Sequence, residues 1–310
     1  MNPRAGIARA DRRVVVIEAP SNLGLKPPKP GKQPGVRRLP EALEKAGLSK
    51  RLQAERFARV EPPPYSETVD PETGIRNAPA IARYSLALAE SLGRALDRDA
   101  FPLVLGGDCS ILLGSLLALR RRGRYGLFFV DGHADFATPE TSASRGAAGM
   151  DLTLATGRGP KPLANLAGLS PLVLDEDVAI LGYRDGERLP GSIAACDVAR
   201  LRLAGIAQTA RRQEAALRRR GVRGFWIHVD ADVLDPSIMP AVDTPEPGGL
   251  TFAELTDLLR ELFRSDLAAG LQICIYDPDL DPEGRCAQGL VDAIAASFEV
   301  RTSGRRGRPK

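Results

Sequence analysis

Two runs of this 310-residue chain place acids and an imidazole at alternate positions behind an apolar stretch. In Asp131-Gly-His133-Ala-Asp135, which follows Leu-Phe-Phe-Val, residues i, i+2 and i+4 of an extended chain point to one face. Asp131, His133 and Asp135 therefore converge. In Asp230-Ala-Asp232-Val-Leu-Asp235-Pro236, behind Phe-Trp-Ile-His-Val, Asp230 and Asp232 share a face in the same way. A third polar strand end, Gly106-Gly107-Asp108-Cys109-Ser110, adds a thiol at the start of a helical segment, a setting that lowers a thiol's pKa. Carboxylates crowded together raise each other's pKa steeply unless a counter-charge is present. A pair of divalent cations supplies it, and oxygen-rich donors with one imidazole suit Mn²⁺ or a similar ion. Two cations sharing carboxylates also lower the pKa of a shared water and generate hydroxide. Turn and cap chemistry accounts for either motif alone; the pair, each behind a buried strand, points to metal.

The elements that must hold these residues are short apolar runs separated by helix-length segments. Strands are expected near Val14–Glu18, Phe57–Glu61, Leu103–Gly106, Gly126–Asp131, Val178–Tyr183, Asp197–Leu201, Phe225–Asp230 and Gln272–Asp277. Most are continuous apolar runs, as in strands of a parallel sheet buried on both faces. Helices are expected over Asn77–Arg98, where Ile81, Tyr84, Ser85, Leu88 and Leu92 make one stripe, over Ser110–Arg122, and over Thr251–Arg264. Strand–helix alternation predicts a doubly wound α/β/α sandwich. Two long irregular stretches, Pro20 to Pro40 and Phe136 to Gly149, each follow a predicted strand. They lie at the carboxyl edge, where ligands of open α/β sheets bind. No domain boundary is evident, so residues 1–300 read as a single domain.

The formal charge of +4 has one source. Residues 301–310 carry five cationic side chains and no acid, which accounts for the whole excess and leaves the body near neutral. The stretch reads as a basic, disordered, solubilising tail, and nucleic acid is not an expected partner. Four cysteines (Cys109, Cys196, Cys274, Cys286) in a chain this long make no disulfide framework. No run approaches a membrane span, and Met1 to Arg13 lacks an apolar export core. The expected setting is the reduced cytoplasm.

Gly-Gly-Asp-Cys-Ser at 106–110, DGHAD at 131–135, HVDADVLDP at 228–236 and DTPEPGGLT at 243–251 together resemble the ureohydrolases: arginase, agmatinase and their relatives. The likeness extends over most of Val14 to Ser297 and includes ILGYRDGE at 180–187. It implies a three-layer α/β/α fold around an eight-stranded, mainly parallel sheet. It further implies a binuclear manganese centre that hydrolyses a guanidinium or related C–N bond by a metal-bridging hydroxide, in trimers or hexamers. Carried over by position, Asp131 and Asp230 bridge the two ions, His133 and Asp232 complete one shell, and Cys109 and Asp135 the other. Asp135 is then also the catalytic residue that holds the hydroxide. Ser144, in the loop ATPETSAS, and Glu187, after Tyr183-Arg184-Asp185, are the implied substrate contacts.

Three departures from the family pattern bear on activity. Cys109 stands where the family has its first histidine ligand, a softer donor that admits Zn²⁺ or similar ions. That exchange resembles the hydroxyarginine hydrolases of antibiotic biosynthesis. Arg145-Gly-Ala-Ala148-Gly replaces the stretch that carries a proton-shuttling histidine, and the chain's other histidine, His228, reads as a hydrogen-bonded packing residue beneath the metals. Ile275 stands where a glutamate pairs with the guanidinium; Asp277 and Asp279 either supply charge from another direction or form a turn and helix cap. A guanidinium buried without a carboxylate would bear a desolvation cost of several kcal/mol. The expected activity is therefore hydrolysis of a modified guanidino, ureido or amidine-like small molecule rather than arginine or agmatine. The alternative is a catalytically silent family member serving as partner subunit or ligand-binding module.

Overall fold

Runs of Val, Ile, Leu and Phe build one eight-stranded sheet in the computed structural model, which describes residues 12–303. The strands are β1 (Val14–Glu18), β2 (Glu55–Arg59), β3 (Phe101–Leu105), β4 (Gly126–Val130), β5 (Val178–Leu181), β6 (Ala194–Cys196), β7 (Phe225–Asp230) and β8 (Ala268–Cys274). Their order is β2-β1-β3-β8-β7-β4-β5-β6, and every pairing is parallel. Every residue of β3, β4, β7 and β8 is buried, which is why these strands read as unbroken apolar runs.

The helices are α1 (Leu39–Lys45), α2 (Leu48–Leu52), α3 (Ala78–Asp97), α4 (Ile111–Arg120), α5 (Asp151–Ala155), α6 (Lys161–Ala164), α7 (Val198–Ala204), α8 (Ile206–Arg219), α9 (Phe252–Arg264) and α10 (Arg285–Ser303). They flank the sheet in two groups, α3 packing on α4 and α6, and α9 packing on α8 and α10. The fold is the expected α/β/α sandwich, with a wholly parallel sheet. Among the described residues, no helix is long and apolar enough to cross a membrane.

Several expected boundaries move. Residues 197–201 are not a strand: the Asp197 side chain accepts the Arg200 N–H at 2.8 Å and caps α7, while β6 is the preceding Ala-Ala-Cys. The second strand runs two residues earlier than expected, in register with β1. The last strand starts earlier, through Ala268 and Ala269, and stops at Cys274 because Ile275 turns to φ +73°. Part of the Pro20–Pro40 stretch is ordered as a 3-10 turn at Gly35–Arg38 leading into α1. At the other end, α10 continues to Ser303, past the expected start of the tail; residues 304–310 lie outside the described residues.

Candidate metal centre

Five neighbouring strands, β3, β8, β7, β4 and β5, deliver their carboxyl ends to one cavity of about 530 Å³, within the size range of small-molecule sites. On the β4 and β7 ends the local geometry follows from the motifs. Asp131 Oδ1 accepts the His133 N–H at 2.7 Å, and Asp230 Oδ1 accepts the Asp232 N–H at 2.8 Å. Asp232 Oδ1 accepts the Gly132 N–H at 3.0 Å, and Asp232 Oδ2 accepts a hydrogen bond from His133 Nδ1 at 2.9 Å. Ligand atoms of Asp131, His133 and Asp232 lie within 4.8 Å of one another.

Cys109 reaches the same place from β3. Gly107 allows the chain to turn there, since a Cβ would collide with the Ser21 carbonyl. Its carbonyl accepts the Ile275 N–H at 2.7 Å, tying this loop to the end of β8. Asp108 is spent on structure, accepting the Ser21 hydroxyl at 2.7 Å and the Ser110 N–H at 2.9 Å. Cys109, fully buried, then donates its thiol to Asp230 Oδ2 at 2.9 Å. The helix start does not lower this thiol's pKa: burial, then Cys274 and the charge on Asp230, push it well up. Asp135 closes the ring. Its φ of +47° is tolerated by aspartate and brings its carboxylate within 4.8 Å of Cys109.

Electrostatically the site is starved of positive charge. Burial, reinforced by neighbouring carboxylates, raises Asp131, Asp135 and Asp230 well above the ordinary carboxylate value. Burial also opposes ionisation of Asp232, but the His133 hydrogen bond and charge hold it low. Against burial, the Asp232 bond raises His133 to about 9. Among the described residues no lysine or arginine pairs with these acids. Asp131 Oδ2 is buried without a partner. This donor set fits two divalent cations, which would supply the missing charge and occupy the unpartnered oxygens.

Residues outside the expected set complete the surroundings. Arg184 is a clamp, its guanidinium donating to the Asp232 carbonyl at 2.8 Å and the Glu246 carbonyl at 2.9 Å, its N–H to Gly132 at 2.8 Å. Asp185 accepts the Ala134 N–H at 2.8 Å and Glu187 the Phe136 N–H at 2.9 Å, so the loop after β5 fixes the segment carrying His133 and Asp135. Glu187 and Ser144 both line the cavity, Glu187 with one oxygen committed to that bond and Ser144 accepting the Gly146 N–H at 3.1 Å. Asp151, at the start of α5, is a further buried carboxylate beside Cys109 and Asp135. No spacing rule singles it out, because the loop from Phe136 to Gly149 separates it from the motif. Asp277 and Asp279 form the turn: Asp277 accepts the Gly35 N–H at 3.1 Å and Asp279 pairs with Lys32 and Arg38, so neither supplies charge to the cavity.

His228 lies beneath, stacked on Phe129. The Trp226 indole can only donate, and it donates to Gln272 Oε1 at 2.9 Å. The Gln272 amide nitrogen must then face His228 Nδ1, 2.8 Å away, and donate to it. His228 thus carries its proton on Nε2, aimed at Asp131 Oδ2 at 3.5 Å. Although His228 falls within 4.8 Å of Cys109, Asp131 and Asp230, it turns a proton rather than a lone pair toward the site, too far from Asp131 Oδ2 for a hydrogen bond.

Comparison with known proteins gives one answer. The Arginase family profile matches residues 12–298. Arginase from Staphylococcus aureus (strain COL) is 29% identical over 301 residues, covering 93% of this chain and 97% of the relative. Arginase from Bacillus caldovelox is 31% identical over 234 residues, 73% of this chain and 78% of the relative. The solved structure of that Bacillus caldovelox enzyme superimposes with a TM-score of 0.82 at 28% identity, covering 93% of this chain and 98% of that one.

Proposed function

The chain belongs to the arginase family and is a metal-dependent hydrolase of carbon–nitrogen bonds other than peptide bonds; we propose that its centre is binuclear and that its substrate is a neutral or weakly basic ureido, amidine-like or modified guanidino compound. The observation that carries this reading is that Cys109, His133, Asp135, Asp230 and Asp232 line one cavity beside a buried Ile275, with Asp131 grouped against them behind it. Asp131 and Asp230 would be held in common by the two cations, with His133 and Asp232 available to one and Cys109 and Asp135 to the other. When bound, the cations, Mn²⁺ or a relative such as Zn²⁺, supply a water of lowered pKa as nucleophile.

The chain's own residues do the rest. The Asp135 carboxylate, lining the cavity, would accept a hydrogen bond from a nucleophilic water and orient it toward a planar carbon. Arg184 and Glu187 hold the two loops that set this geometry, and the free edge of Glu187 with the Ser144 hydroxyl binds the polar end of the substrate. Ile275 presents hydrocarbon to the reacting group. At that wall a guanidinium cation would meet hydrocarbon where the family pattern has an acid, so its counter-charge would have to come from the other lining acids, Asp185, Glu187 or Asp243. Ala148 offers no proton-transfer group, so leaving-group protonation falls to solvent entering the cavity. Assembly into trimers or hexamers is carried over with the family and is checked by sedimentation.

The test is metal content followed by turnover. Protein purified without chelators should hold close to two divalent ions per chain after dialysis. With Mn²⁺ it should hydrolyse ureido or N-hydroxyguanidino compounds faster than arginine or agmatine. Failure to retain added Mn²⁺ would sink the enzymatic reading, and preference for arginine would sink the substrate assignment.

A further inference from the structure

Asp151 is wholly buried, and neither of its carboxylate oxygens has a hydrogen-bond partner of acceptable geometry. One of them lies within 4.8 Å of both Cys109 Sγ and an Asp135 oxygen, which are themselves that close to each other. A buried carboxylate with neither cation nor donor is strongly unfavourable, and a side chain so placed without a reason would not be expected at the first position of a short helix. His228, which also groups with Cys109, is turned away from ligation by the Trp226–Gln272 chain. Besides the residues the motifs supply and His228, Asp151 is the carboxylate or imidazole group that shares a possible cation position with Cys109, among the described residues.

We propose that Asp151 is a ligand of the ion on the Cys109 side, so that a thiolate and an added carboxylate together hold that cation. The proposal rests on the binuclear reading above and extends it. Its chemical consequence is selectivity. A thiolate alone in that shell would favour Zn²⁺ and softer ions; a second hard oxygen donor pulls the preference back toward Mn²⁺.

The full-length protein, stripped of metal, is titrated with Co²⁺ while the near-ultraviolet thiolate-to-cobalt charge-transfer band is followed, and bound metal is counted by elemental analysis. Wild type should take up two ions and develop the band, and Cys109→Ser should lose it. Asp151→Asn should keep the ion on the His133 side and bind the second at least about tenfold more weakly, with the band appearing only at higher Co²⁺. Its preference for Mn²⁺ over Zn²⁺ at that position should fall in parallel. Stripped Asp151→Asn should melt no lower than stripped wild type, because an unpaired buried charge has gone. Should the asparagine variant not fold, Asp151→Ser provides the same readouts. Two ions bound at wild-type affinity with an unchanged band would overturn the assignment of Asp151 and leave the binuclear reading standing. A variant that melts several degrees lower while binding metal normally would make Asp151 structural and overturn it too. Wild type that retains neither Co²⁺ nor Mn²⁺ would overturn both.

Discussion

The two sides of the centre are built differently. On the His133 side backbone N–H groups and the imidazole satisfy the acids: Asp131 Oδ1, Asp230 Oδ1 and Asp232 Oδ1 accept backbone N–H groups, and Asp232 Oδ2 the His133 ring, at 2.7–3.0 Å. On the Cys109 side the thiol faces Asp230 and Cys274, while Asp131 Oδ2 and both Asp151 oxygens have no hydrogen-bond partner. One side is a hydrogen-bonded unit that stands without metal; the other is a set of donors waiting for charge. The difference teaches that the ions contribute unequally to the fold. Removing metal should cost the Cys109 side most, because unpaired buried polar groups are far more unfavourable than paired ones.

The largest expected effect comes from the residue both sides share. Asp131→Asn should abolish retention of both ions and lower turnover by more than about 100-fold, the upper end of what is lost when only an orienting partner of a ligand is removed. His133→Ala confines the damage to one side: one ion per chain by elemental analysis, with the thiolate–cobalt band intact. If His133→Ala erased that band, the two sides would not be separable and the comparison would fail.

A smaller effect is expected at the wall both sides face. Ile275→Glu restores an acid beside the reacting group, and it removes a β-branched residue from φ +73°, where such residues are strained by about 1–3 kcal/mol. The variant should accept arginine or agmatine with KM at least about tenfold lower than wild type, the order expected of a partly buried charge pair. Unchanged KM for cationic guanidines alongside normal metal content would mean that another wall sets the substrate's charge.

How much of this was legible in the sequence follows the same division. The His133 side is written in period two: side chains that alternate along a strand end must converge, so Asp131, His133, Asp230 and Asp232 could be placed without coordinates. The buried strands were equally readable as apolar runs. Asp151 and Arg184 were not, because each acts on elements distant in the chain and no local spacing marks them. The misread strand at 197–201 has a related cause, since Val198 and Leu201 are buried from a helix whose cap, Asp197, outweighs β propensity. The Cys109 thiol was misjudged for a third reason: the helix start was visible, but its burial against Asp230 was not.

The smallest effect is a pH dependence with opposite signs in metal-free and metal-loaded protein. His133, held at about 9 by its bond to Asp232 against the effect of burial, has a folded value above its ordinary 6.5. Its contribution to stability is complete below about pH 6.5 and lost as pH rises through about 9. Asp131, Asp135, Asp151 and Asp230 are raised by burial, so their contributions also decline as pH rises above the ordinary carboxylate range. Asp232, held low chiefly by His133 against burial, acts oppositely and matters only in acid. With chelator present the melting temperature should fall steadily from pH 6 to 9.5. Loaded with Mn²⁺ it should rise over the lower part of that range, because ligands must release protons to bind and affinity grows as they do. His133→Ala separates the two sides again: the step between about pH 6.5 and 9 should vanish from the metal-free curve, while the slower decline from the buried acids persists. Parallel curves with and without Mn²⁺ would mean that metal binding is not linked to these protons, and the contrast between a self-satisfied side and a charge-starved one would lose its energetic basis.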